Sequence, residues 1–309
     1  MNAPFIWLGV PLVIAISMWF YKQARWFTAA LGAVVCFIFF LLSKFLPIGQ
    51  TIFLGKRMYE ISPQWIILGR RFIIDDSQRA ILALIFALGI FWLLVSGFVK
   101  VTPLFTPLGL ASLVLWLAAL SVRPFLYAGL IVEILILMTT PMLIQPDKPP
   151  QQGVLRYLIY QTLSVPCLLF AGWVASGVEA NPADVDLVNQ TVVLLGLGLA
   201  LLLAVFPFYS WLPRLAEEAD PFVVGFLLSI QPVVIMLFAV DLLNSYAWLR
   251  DFAEFRFVLI GLGGLMTLLG SVWITSQENL GRMLGYLVIF ENGVCLLVLG
   301  IPGRVGIEV

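Results

Sequence analysis

The sequence predicts an all-α, polytopic transmembrane helix bundle, and three observations predict it. Apolar residues make up 62% of the 309 positions and charged residues only 11%, against roughly 45–50% and about 25% in a soluble domain. Mean hydropathy is +1.06. Apolar runs close to the roughly 20 residues needed to cross a bilayer recur from one end of the chain to the other. So little polar surface cannot coat a water-exposed domain of this size.

The charge balance excludes several function classes. Seventeen Lys and Arg against seventeen Asp and Glu give a net charge of +0, so no excess positive field points to nucleic acid. No His occurs, which removes His-based metal sites and His-dependent triads. Cys36, Cys167 and Cys295 lie far apart in apolar runs, without the spacing of a zinc or iron–sulfur site. They read as small buried hydrophobes.

Taken in order, the chain starts Met1-Asn2-Ala3-Pro4 and runs straight into Phe5–Phe20. Charge follows this apolar run at Lys22 instead of preceding it, so the segment reads as a retained first helix and not a cleaved signal peptide. Pro4 suits a first turn, where its missing N–H is not needed. About ten spans follow from run length: 4–20, 27–46, 80–99, 104–121, 123–143, 153–176, 187–210, 221–243, 256–275 and 283–301. The expected organisation is a single integral membrane domain over 1–309, with two N-terminal helices in 1–46, an extramembrane loop at 47–79 and the main bundle at 80–309. The loop mixes five basic and three acidic residues with apolar patches and predicts a strand or hairpin around Gln64–Ile74. The stretch 144–152 is a proline-rich linker, 177–186 is an acidic loop, and Arg123-Pro124 reads as a short turn. Pro207, Pro232 and the run Gly261-Leu262-Gly263-Gly264 fall inside spans, where helix breaks can line a polar cavity. Lys22, Arg25, Lys100, Lys148, Arg156, Arg214 and Arg282 fall on one side of the membrane; Lys44, Arg123, Arg250, Arg256 and Arg304 fall on the other, with the long loop. The positive-inside rule then favours an external N-terminus.

Ionisable groups at membrane depth cost roughly 2.5–3.5 kcal/mol on insertion scales and are functional candidates by default. Glu133 stands mid-span between Leu126 and Met138 with apolar neighbours on both sides. It reads either as a proton carrier or as a neutral hydrogen-bonding staple to a neighbouring helix. Glu291 lies about two turns into the last span, followed by Asn292, and reads as a proton-path group, as a hydrogen bond to a neighbouring helix or as a group solvated near the interface. Gln231 and Pro232, beside Ser229, mark a helix break or a small polar pocket. The segment from Phe206-Pro207 through Trp211-Leu212-Pro213-Arg214 to Asp220-Pro221 closes one helix in an aromatic belt. Asp220 stands at an N-cap position and Pro221 at N1 of the next helix.

That segment resembles the motif closing the seventh helix of the antiporter-like, proton-translocating subunits of respiratory complex I, Mrp-type antiporters and group 4 hydrogenases. Other segments are similar to this family in the same order. Trp65–Leu82 is similar to its loop into the third helix, and Leu117–Met138 to its hairpin carrying the key glutamate, here Glu133. Leu155–Leu163 is similar to the start of its sixth helix, and Glu278–Tyr286 to the start of its tenth. The resemblance implies the first part of the antiporter-like inverted-repeat fold. It also implies structural roles for Pro207, Trp211, Pro213 and Arg282. Where the family holds a lysine in its seventh helix, the matching position is Leu202; where it holds His or Lys in its eighth, the match is Leu227.

The function these readings imply is that of a membrane-arm subunit in a complex I-like NADH:quinone oxidoreductase or related hydrogenase. Such a subunit supports proton translocation through a partial path at Glu133, Glu291, Gln231 and Asn292, or serves as a structural spacer. The chain itself offers no haem or iron–sulfur ligand set and no flavin fingerprint. NADH, flavin, iron–sulfur clusters and quinone are expected in hydrophilic redox partners, and the remaining neighbours are other membrane-arm subunits in a bacterial inner membrane, thylakoid or organelle inner membrane. The alternative is a standalone cation or proton permease acting as an oligomer. A transferase binding metal through Asp75-Asp76 is opposed by the flanking Arg70, Arg71 and Arg79.

Overall fold

In the computed structural model, residues 2–49, 51–54, 57–67, 69–145, 151–181, 184–246, 248–249 and 253–301 are described. Two compact units result, Met1–Met142 and Leu143–Val309.

The first unit begins with a single π turn, Phe5–Gly9, leading into α1 (Val10–Phe20). Then come α2 (Arg25–Phe45), α3 (Arg79–Val95), α4 (Phe105–Ser121) and α5 (Leu126–Leu143). α2 lies along α3, and α4 contacts α1, α2 and α3. Every residue of α4 except Leu115 is buried, so it is the core helix of this unit. Several buried polar groups are paired internally, as a bilayer favours. The buried Trp7 indole donates to Ser43 Oγ at 2.8 Å. Arg79 donates Nε to the Ser43 carbonyl at 2.9 Å and Nη2 to the Lys44 carbonyl. It thereby closes the last turn of α2, where cationic side chains suit the exposed carbonyls. Its Nη1 also meets Asp76 Oδ1 at 3.1 Å.

Between α2 and α3 the expected hairpin forms. β1 (Thr51–Leu54) pairs antiparallel with β2 (Arg57–Glu60), and β3 (Gln64–Ile67) with β4 (Arg70–Ile73). Gly69 sits in the β3–β4 turn at φ +76°, a left-handed conformation that glycine adopts without steric cost. Arg123 is not simply in a turn: Val122–Arg123 forms a short strand, β5, that extends the sheet through Phe72–Val122 pairing. The Arg70 guanidinium lies 3.6 Å from the Tyr127 ring centroid, a cation–π contact. Lys56 and Lys148, and the Pro146–Pro150 part of the linker, lie outside the described residues, as do Arg250 and Arg304.

The second unit holds α6 (Gln152–Ala180), α7 (Val185–Leu202), the short α8 (Trp211–Glu218), α9 (Pro221–Ser245), α10 (Ala253–Thr275) and α11 (Leu280–Gly300). α6 packs along α7 and α10 along α11, and α8 lies against both α6 and α11. Asp220 caps α9, accepting from the Phe222 and Val223 amides at 2.9 and 3.2 Å. Asn279 caps α11 in the same way. Small residues bring helix backbones together, as in other membrane bundles. A Cβ on Gly263 would stand 2.8 Å from the Gly293 carbonyl oxygen, and one on Gly285 would stand 2.6 Å from Pro213 Cα.

Four sequence expectations are corrected. Among the described residues, eight helices, not about ten, are long and apolar enough to cross a membrane by themselves; Phe5–Phe20 and Phe105–Ser121 are shorter. The 17 residues of α4 extend about 26 Å at 1.5 Å per residue, less than the hydrocarbon thickness of about 30 Å. α9 runs unbroken through Gln231-Pro232 and α10 through Gly261–Gly264; of the glycines there, Gly263 serves close packing, and none marks a break. The run 187–210 is not one helix, because α7 stops at Leu202. The acidic segment 177–186 is also partly helical, since α6 continues to Ala180.

These contacts predict that Gly285→Ala lowers stability by about 1–3 kcal/mol, the usual cost of overpacking, because the atoms in its way belong to the α8 backbone. Gly261→Ala meets nothing within 4 Å and should leave stability unchanged or slightly higher. Asp220→Ala should cost about 1 kcal/mol through loss of the cap. Thermal unfolding of the detergent-solubilised chain measures all three.

Candidate functional site

The end of α7 is where the second unit departs from regular helix. Beyond Leu202 the chain turns through Leu203 and Ala204, and the Phe206–Pro207 peptide is cis. One further turn, Phe208–Ser210, leads into α8. Ala204 takes φ +54°, and the Val205 amide reaches back to the Ala200 carbonyl at 2.9 Å. This is the bond pattern of a Schellman helix stop, with alanine in the left-handed position that glycine usually fills. A left-handed backbone costs a non-glycine residue about 1–2 kcal/mol. Ala204 is fully buried, so the surrounding packing holds it there.

A helix that stops inside an apolar bundle leaves carbonyls without partners, and each unsatisfied group costs several kcal/mol in hydrocarbon. Two side chains from neighbouring helices supply the donors. Gln161 Nε2, on α6, donates to the Leu202 carbonyl at 3.3 Å, and Asn292 Nδ2, on α11, donates to the Leu203 carbonyl at 2.8 Å. Gln231 Nε2, on α9, in turn donates to Gln161 Oε1 at 2.9 Å. All three amides are buried. The chain of donors therefore runs Gln231 to Gln161 to the Leu202 carbonyl. At its open end Gln231 Oε1 is buried and accepts no hydrogen bond among the described residues. A buried amide oxygen of this kind seeks a donor, at a cost of about 1–3 kcal/mol when left without one.

The sequence candidates thus fall into three groups. Gln231 and Asn292 meet the broken helix, Gln231 through Gln161. Glu291 lies on the exposed face of α11 although its neighbour Asn292 points inward. Glu133 lies near the middle of α5 in the first unit, half-buried, with its Oε2 shielded from solvent. Gln161 and the carbonyls of Leu202 and Leu203 were not singled out from sequence. An amide in an apolar helix is the signal that could have found Gln161, the same signal that marked Gln231 and Asn292. Leu202 and Leu227 are both buried, so neither places a charge in the second unit's interior. Of the cysteines, only Cys36 is buried; Cys167 is half-buried and Cys295 exposed, which corrects the expectation that all three fill the core.

The four motif residues build the frame below the break. Pro207 sits in the turn after it. Trp211 is buried, its ring centroid 5.5 Å from that of the equally buried Tyr157 on α6. Pro213 presents its backbone to Gly285 on α11. Arg282 Nε meets Glu217 Oε2 at 2.6 Å, and Glu218 Oε2 accepts from the Gly153 amide at 2.6 Å. The two carboxylates of α8 therefore tie it to the N-terminal turns of α11 and α6.

Asn292→Leu and Gln161→Leu should each destabilise the chain by about 1–3 kcal/mol, since each leaves a buried carbonyl without its donor. Gln231→Leu removes a donor and an unsatisfied acceptor together, so its cost should be smaller than that of Gln161→Leu. Thermal melts of the three variants in one detergent give the order.

The chain matches the family model described as "NADH:quinone oxidoreductase/Mrp antiporter, TM" over residues 152–309, which takes in the whole broken-helix site. NADH-quinone oxidoreductase subunit N of Caulobacter sp. (strain K31) is 26% identical over 198 residues, 59% of this chain and 41% of that protein. Among solved structures, the chain is similar to one in respiratory complex I from Thermus thermophilus, with TM-score 0.71 and 20% identity, covering 96% of this chain and 64% of the other. It is also similar to one in the Mrp complex from Dietzia sp. DQ12-45-1b, with TM-score 0.75 and 15% identity, covering 98% and 59%. The chain spans about two fifths of the length of the Caulobacter relative and less than two thirds of either structural neighbour. With its multi-pass helices and a family match over half its length, this integral membrane protein belongs to the transmembrane family of NADH:quinone oxidoreductase and Mrp antiporter subunits.

Proposed function

We propose that this chain is a membrane-arm subunit of a complex I-like NADH:quinone oxidoreductase or a related hydrogenase, and that it supports proton translocation without being an autonomous pump. The observation that carries the reading is the family's broken helix held together by neutral amides. A pump moves charge by changing protonation, and a carboxamide does not titrate in the physiological range. By the family resemblance, Leu202 at the break and Leu227 on α9 stand at the positions of the family's lysine and of its histidine or lysine, and Gln161, Gln231 and Asn292 supply hydrogen bonds alone. Such a site orders hydrogen bonds around the break but has no group that takes up or releases a proton. The driving charge then comes from elsewhere in an assembly.

In this reading Glu133 is the group on this chain that takes up and releases a proton, and Glu291 faces outward toward a neighbouring membrane subunit. NADH oxidation, flavin, iron–sulfur clusters and quinone chemistry are assigned to hydrophilic redox partners, and the membrane is a bacterial inner membrane or an organellar equivalent. An exposed carboxylate on a membrane-crossing helix argues against a lone permease facing lipid on that side. A homo-oligomeric permease that covers Glu291 with a second copy is the reading to be distinguished.

The test is purification of the tagged chain in mild detergent with mass spectrometry of whatever stays bound. Recovery with other multi-span subunits and redox proteins is the expected result; recovery only with itself overturns the proposal in favour of the permease. In membranes holding the assembly, Glu133→Gln should lower protons moved per electron while leaving electron transfer measurable. An unchanged ratio would leave Glu133 a structural hydrogen-bonding residue and the subunit a spacer.

A further inference from the structure

Three arginines that are far apart in sequence meet at one end of the second unit. Arg156, the fifth residue of α6, Arg214 on α8 and Arg282, the third residue of α11, line a polar cavity of about 230 Å³ together with Tyr209, Ser210 and Tyr286. Only one of the three guanidinium groups is matched by a carboxylate among the described residues: Arg282, through Nε to Glu217. Arg214 Nη1 donates to the neutral Gln152 Oε1 at 2.9 Å. Arg156 has no ion pair among the described residues. The second carboxylate nearby, Glu218, accepts from the Gly153 amide and forms no ion pair with any of the three, although its charge reaches Arg282. The pocket therefore keeps excess positive charge and spare N–H donors, beside two phenol hydroxyls and a serine hydroxyl.

The surroundings fix its depth. Arg156 and Arg282 lie in the first two turns of helices entering the membrane. Tyr209 stacks on Trp273 with centroids 4.7 Å apart, and Trp273 contacts Tyr286 at 5.3 Å. Aromatic clusters of Tyr and Trp belong at the headgroup level. A second cavity of about 270 Å³, lined almost entirely by apolar groups, starts at Phe206 and Phe208 and runs toward the opposite end of the unit, to Leu242, Leu262 and Leu296. A basic, hydroxyl-rich pocket with an apolar cleft leading away from it into the bilayer fits an amphiphile with an anionic head.

From this geometry we infer that Arg156, Arg214 and Arg282 form a binding site for a phosphate group, supplied by the headgroup of an anionic phospholipid whose chain takes the apolar cleft. Guanidinium groups bind phosphate oxygens through paired N–H donors. Basic pockets between transmembrane helices on the cytoplasmic side are a recognised setting for anionic lipid heads. All three arginines fall on the side that the positive-inside rule makes cytoplasmic. The bound lipid would hold α6, α8 and α11 together at the foot of the broken helix. The inference rests on the pocket and is independent of the role proposed for Glu133.

The test uses the full-length chain reconstituted with equal amounts of phosphatidylglycerol and phosphatidylcholine, re-extracted in mild detergent, with the retained lipids counted by native mass spectrometry. Wild type should retain phosphatidylglycerol in preference to phosphatidylcholine. Arg156→Gln, which breaks no ion pair, should lower that retention about fivefold, the effect of one arginine near a lipid head. Arg156→Lys should lose less than Arg156→Gln, while Arg25→Gln, outside the pocket, should change nothing. A separate titration of lipid-free protein with inorganic phosphate distinguishes the source. Phosphate binding that Arg156→Gln weakens, without preferential lipid retention, keeps the phosphate site but overturns the lipid assignment. Equal retention of the two lipids with no phosphate binding overturns the site altogether, as does a folded Arg156→Gln, Arg214→Gln double variant that retains phosphatidylglycerol like wild type.

Discussion

A backbone that stops being helical inside a bilayer must find its hydrogen bonds within the protein, and the second unit is arranged around that constraint. The Leu202 and Leu203 carbonyls lie at the end of α7 with no turn of helix above them. Gln161 reaches them from α6 and Asn292 from α11. Two helices on different sides of the break are thereby fixed at one depth. α8 repeats the same connection lower down, through Glu218 to the first turn of α6 and Glu217 to the first turn of α11. Packing follows from this frame: Gly285 must be small because α8 is held against α11 there.

The chemistry of the break follows from the kind of donor used. A lysine at membrane depth would satisfy a carbonyl and carry a charge whose protonation responds to its neighbours, but a buried charge needs a partner or costs several kcal/mol. A carboxamide satisfies the carbonyl at no charge. With leucine at positions 202 and 227, both buried, the unit's interior in the proposed reading holds a directional hydrogen-bond chain without an electrostatic switch. Gln231 Oε1, left as a buried acceptor, is the point where that chain is open to a donor.

Hydropathy made the helices legible, because lipid-facing and protein-facing positions of a span are both apolar. The same fact hid which face is which. Glu291 and Asn292 are adjacent in sequence and equally polar in an apolar run, yet one is exposed and the other buried. Cys36 and Cys295 likewise read alike and sit oppositely. The helix stop at Leu202 was missed for a related reason: the leucine-rich run continues to Val205 without a polar residue, and the left-handed position carries Ala204 instead of the glycine that would have announced it. Pro207, five residues on, was the only sequence mark. Conversely, Gly261–Gly264 looked like a break and is instead continuous helix, with Gly263 in close contact with α11. A glycine in a membrane helix signals either unwinding or close approach, and sequence alone does not say which.

The motif from Pro207 to Pro213 was legible as a resemblance, and its geometry explains why such a resemblance can outlast the activity of relatives. None of its four residues titrates usefully in the membrane. Pro207 shapes the turn, Trp211 fills space against Tyr157, Pro213 meets the α11 backbone and Arg282 clamps α8 through Glu217. Together they build the broken helix and the short helix beneath it, and they do so whichever side chain occupies position 202. Family membership is therefore carried by the residues that make the frame, whereas pumping depends on the few that would charge it. A chain can keep the first set and replace the second. This one holds its frame with amides, and that is the physical ground for reading it as a partner in an assembly and not as its motor.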